Sequence, residues 1–82
     1  MRTVAELPHP DFKITIFAMN QKFIIKFEQG PLEQSYKIAE TALIDGVNDV
    51  FQILDESFYS TVLKQFEEMR KSFNEAYARY DS

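Results

Sequence analysis

From Phe12 onward the apolar positions recur at every second residue. Phe12, Ile14, Ile16 and Ala18 fall on one side, and Lys13, Thr15, Phe17 and Met19 on the other, which is the pattern of a half-buried strand. After Asn20-Gln21 the alternation resumes, with Phe23, Ile25 and Phe27 against Lys22, Ile24, Lys26 and Glu28. If Asn20 and Gln21 form a two-residue loop, the hairpin register sets Phe17 opposite Ile24, Thr15 opposite Lys26, Lys13 opposite Glu28 and Ile16 opposite Ile25. Asn tolerates positive φ and Gln does so poorly, so the pattern leaves the turn type open. Gly30-Pro31 punctuates the chain a second time, and Leu32, Gln34, Tyr36 and Ile38 then alternate with Glu33, Ser35, Lys37 and Ala39. An even loop keeps the parity, so Tyr36 and Ile38 share the face of Phe23 and Ile25. The expectation is a three-stranded antiparallel meander, middle strand 22–28, whose first and third strands are open edges.

Past the Asp45-Gly46 turn signal the period lengthens. Val47, Val50, Phe51 and Leu54 stand at i, i+3, i+4 and i+7, a short amphipathic helix. Asp55 then reads as the N-cap of a second helix, with Leu54 and Tyr59 placed for a hydrophobic staple. From there Phe58, Val62, Phe66, Met69, Phe73, Tyr77 and Tyr80 advance by three or four along one face. The fold class is therefore α+β, with the long C-terminal helix packed on one face of the meander. A helix of about 25 residues spans about 37 Å and a seven-residue strand about 23 Å. The helix outruns its sheet, which leaves Phe73, Tyr77 and Tyr80 to meet either the N-terminal segment or another molecule.

Residues 1–11 carry Pro8-His9-Pro10, which forbids helix there, and read as an arm leading into a single domain at 12–82. At 82 residues without a cysteine, the chain has a thin core and no disulfide or thiolate metal site to reinforce it. Efficient packing or self-association must serve instead. An apolar fraction of 45% with eight Phe and four Tyr is far from a disordered composition. The chain lacks a leader-like apolar run and a membrane-length segment, which leads to the expectation of a cytoplasmic protein with no membrane association. The net charge is −4, and its distribution is uneven: residues 1–40 balance five basic against five acidic side chains, while residues 41–82 set four against eight.

Candidate chemistry is sparse. His9 is the single histidine, and with no cysteine a metal site would rest on carboxylates, so a surface or packing histidine is the better account. Ser57, Ser60 and Thr61 sit in early helix turns without a nucleophile-elbow context. Asp45, Asp49, Asp55 and Glu56 lack the order of a calcium loop and suit helix starts. Two glycines exclude a glycine-rich phosphate loop. No cofactor or metal is expected, and with no recognisable catalytic constellation in the sequence the expectation is a protein that is not an enzyme.

Two surfaces remain. The outer sheet face gathers Lys13, Phe17, Ile24, Lys26 and Lys37, and lysines beside an exposed ring are the elements of a single-stranded nucleic-acid platform. One ring without Arg in the sheet, on an acidic chain, disfavours nucleic acid, and a solvated face with Lys13–Glu28 or Lys26–Glu33 pairs is the plainer reading. The other surface is the helix tail, with Phe73, Tyr77 and Tyr80 as interface residues. The functional expectation is a non-enzymatic protein-interaction module that forms a homodimer through that tail, a sheet edge, or both. The alternative is a nucleic-acid-binding sheet using Lys13, Phe17, Lys26 and Lys37.

Overall fold

A computed structural model describes residues 1–81. Four strands form one antiparallel sheet in sequential order: β1 (Arg2–Leu7), β2 (Lys13–Met19), β3 (Lys22–Gln29) and β4 (Leu32–Ala39). A 3₁₀ turn at Glu40–Ala42 leads to α1 (Val47–Ile53) and α2 (Glu56–Asp81). The α+β class and the long C-terminal helix are as the periodicity indicates. The three-stranded count is corrected to four.

The added strand is the segment read as an arm. Residues 2–7 pair with β2, Leu7 opposite Ile14 and Glu6 opposite Thr15, and the register shifts between Thr3 and Ala5 so that Val4 has no partner. That bulge hides the strand in the sequence, because one extra residue breaks a period of two. Pro8 and Pro10 lie in the connection, outside the ladder, where a missing N–H costs nothing. The open edges are thus β1 and β4, and β2 is an interior strand.

The central hairpin has the register that the alternation requires: Phe17 opposite Ile24, Thr15 opposite Lys26, Lys13 opposite Glu28 and Ile16 opposite Ile25. Asn20 and Gln21 both adopt positive φ, 51° and 64°, the geometry of a type I′ turn. Gly30, at φ 59°, opens the second two-residue loop, and Gln29 faces Leu32 across it.

The core lies between the sheet and both helices. Phe12, Ile14, Ile16, Phe23, Ile25 and Phe27 from the inner face bury against Val50 and Leu54 near α1 and Val62 and Phe66 of α2. Phe27 and Phe66 are wholly enclosed, each worth about 1.5–3 kcal/mol of apolar burial. Asp55 caps α2, its Oδ1 accepting the Phe58 N–H at 2.8 Å, which satisfies one of the orphan donors of the first turn. Asp49 Oδ2 accepts the backbone N–H groups of Ile44 and Asp45, both at 2.8 Å, and holds the loop before α1. The acidic residues of this region are spent on local geometry.

Candidate functional site

The course of α2 across the sheet determines which surfaces are left open. Early in the helix, Phe58 and Tyr59 pack edge-on to Phe27, at 5.6 and 6.5 Å between ring centroids. One turn later Gln34 of β4 donates to the Val62 carbonyl at 3.0 Å, and the Tyr36 hydroxyl lies 2.9 Å from Gln34 Oε1 and 3.1 Å from Gln65 Oε1. Further along, Arg70 donates to Gln29 Oε1, while Gln29 Nε2 donates to the Asp11 carbonyl at 2.8 Å. Gln29 is the final residue of β3, so the platform ends here.

Beyond Arg70 the helix continues to Asp81, about 16 Å further at 1.5 Å per residue. Every side chain from Arg70 to Asp81 is exposed. Phe73, Tyr77 and Tyr80 stand 54%, 59% and 84% exposed, and the N-terminal segment covers none of them because it is enrolled in the sheet as β1. Tyr77 and Tyr80 pack on each other, ring centroids 6.3 Å apart. The overhang also sets the shape: extents of 51 × 26 × 20 Å and a radius of gyration of 14.9 Å, against about 12 Å for a compact chain of this length.

The outer sheet face is less open than the alternation suggests. Ile24 is only 9% exposed and Thr15 is buried, though neither belongs to the core cluster. Both stand in interior strands between two cross-strand partners, Phe17 and Lys37 beside Ile24 and Glu6 and Lys26 beside Thr15. Lys26 is held by Glu33 at 3.3 Å and Glu28 at 4.0 Å. Lys13 and Lys37 are exposed, Phe17 is half-buried, and the register puts Glu28 opposite Lys13.

His9 packs. It stacks on Phe12 at 4.1 Å with near-parallel rings, meets Tyr59 edge-on at 5.1 Å, and accepts the Asp11 N–H on Nδ1 at 3.1 Å. The shallow notch beside it is lined by Asp11, Glu56, Tyr59, Ser60 and Leu63. Burial, then the charges of Glu56 and Asp55, push the Tyr59 phenol above its ordinary range. Thr61 turns its hydroxyl back to the Ser57 carbonyl, an in-helix bond. Among the described residues no group of three or more His, Cys, Asp or Glu is arranged to hold a metal ion. Among the described residues no helix is long and apolar enough to cross a membrane.

One feature escapes the periodicity. Ile44, Phe51 and Ile53 are exposed around α1, although Phe51 belongs to the apolar stripe of that helix. A short helix buries only the residues that point straight at its neighbour, here Val50 and the following Leu54.

Compared with known proteins, the chain matches no family model, no curated protein and no solved structure.

Proposed function

We propose that this chain is a small, non-enzymatic interaction module that self-associates as a homodimer, with the overhanging end of α2 as its contact surface and an edge strand, β1 or β4, as a secondary one. One observation carries the reading: three aromatic rings on a single face of one helix, all more than half exposed. A rigid ring with a hydroxyl that stays wet is the side chain favoured at protein interfaces. Helix beyond the edge of its platform adds nothing to the protomer core, yet its apolar stripe is maintained.

The rings expose on the order of 200 Å² of apolar and phenolic surface each when bare, hence about 400 Å² per copy at these exposures. Two copies offer about 800 Å², below the roughly 1,200 Å² of a specific interface. A lasting dimer therefore recruits the flanks of the helix or an edge strand as well.

Sedimentation equilibrium at micromolar concentration tests the proposal. A dimer is expected, and replacing Phe73 and Tyr77 together by Ser should return the monomer with its fold intact. A wild-type chain that sediments as a monomer would overturn it. The nucleic-acid reading has weaker footing, since Lys26 is already neutralised by two carboxylates. Titration with a labelled oligonucleotide at two salt concentrations separates the two, because a phosphate-driven complex must weaken as salt rises.

A further inference from the structure

The apolar face of α2 has a heptad order that runs without a break from core to overhang. Tyr59, Val62, Phe66 and Met69 occupy alternate a and d positions against the sheet, and Phe73, Ala76 and Tyr80 continue the same seam in solvent. We infer that the occupant of this seam is the same segment of a second copy, running antiparallel, with Phe73 of each copy seated over Ala76 of the other. This rests on the self-association proposed above and adds its direction and register.

Geometry excludes the parallel arrangement. The seam faces the sheet along residues 59–69, so a parallel partner helix would have to run through the volume that the sheet fills. An antiparallel partner enters only beyond Arg70, where Gln29 ends the platform, and leaves past Asp81, so the overlap is about the 16 Å of the overhang. Pairing a with d positions across that overlap sets each large ring, Phe73, against a small residue, Ala76, and leaves Tyr80 level with the half-buried Met69 at the rim of the platform. The adjoining flank places Arg70 of one copy beside the Tyr77 ring of the other, a cation over an aromatic face.

Charge points the same way. Residues 1–69 carry six basic and eleven acidic side chains, whereas residues 70–82 carry three and two. Parallel copies would set two strongly acidic bodies side by side. The antiparallel pair separates them and lays the slightly basic tail of each toward the acidic body of the other. It also sets Arg70 and Lys71 near the negative dipole end of the partner helix.

The cysteine-free chain permits single-site spin labels on Lys64→Cys and Lys71→Cys, two exposed positions opposite the seam. In the antiparallel register the axial offsets between copies are about 31 Å and about 10 Å, and both labels also lie about 25–30 Å apart across the pair, so the label at 64 should report a distance longer by roughly 10–15 Å. Equal distances at both sites would overturn the register. A dimer by sedimentation whose two distances do not differ in this sense would overturn the tail pairing yet leave self-association standing, and a monomer would overturn both. As a second reading, Ala76→Glu should raise the dimer dissociation constant at least tenfold while Ala78→Glu, on the outer face, leaves it within about twofold. Equal effects of the two substitutions would also sink the register.

Discussion

At the scale of single residues, the structure sets local conformations that individual side chains either suit or resist. Gln21 sits at φ 64°, a region where an L side chain costs roughly 1–2 kcal/mol and glycine costs nothing of the kind. Gln21→Gly would create the Asn-Gly pair that type I′ turns prefer, and is expected to stabilise the protein by on the order of 0.5–1 kcal/mol in urea unfolding. Asp55 acts in the opposite sense. Asp55→Ala removes the bond to the Phe58 N–H and should cost about 0.5–2 kcal/mol in the same measurement. Tyr59 supplies a pH dependence whose sign follows from its raised pKa. Below about pH 10 the phenol is neutral in folded and unfolded chains alike and the stability it supports is intact. Above that, the unfolded chain ionises first, and stability is lost as pH rises through the folded value. Melting temperature should therefore fall more steeply on the alkaline side for the wild type than for Tyr59→Phe.

At the scale of elements, α2 is one helix with two environments. Phe66 and Phe73 lie seven residues apart on the same seam, one wholly enclosed and the other more than half exposed. Phe66→Ala should cost about 3–5 kcal/mol, a large part of what an 82-residue domain has. Phe73→Ala, measured at a concentration dilute enough to hold the monomer, should cost within about 0.5 kcal/mol. The contrast between two identical substitutions on one helix tests where the platform ends. β1 shows the converse case, an element held by its neighbour. Its bulge and its short, partly polar sequence give it little strand character alone, and pairing with β2 supplies the partners for its backbone.

At the scale of the molecule, the overhang turns a small α+β body into a rod-ended particle. A chain ending at Lys71 loses no buried side chain among the described residues and should unfold cooperatively with a melting temperature that no longer depends on concentration. The full chain should show a melting temperature that rises with concentration, since association binds only the folded state. Loss of the cooperative transition on truncation would mean that the tail serves the protomer core after all.

The amino-acid pattern alone determined the register of the central hairpin, the parity of β4, the cap at Asp55 and the apolar face of α2, because each depends on contacts within a few residues or on a strict period. It also determined that helix and sheet differ in length, since rise per residue is a property of the backbone. Only the tertiary structure decided the rest. β1 needed a neighbour to reveal it, the choice among the outer-face pairs, with Lys26 held by both Glu33 and Glu28, needed their distances in space, and the point where Phe73, Tyr77 and Tyr80 leave the platform depended on the crossing of α2 over Gln29. Local periodicity encodes which side of an element is apolar, but what lies against that side depends on how distant elements stack.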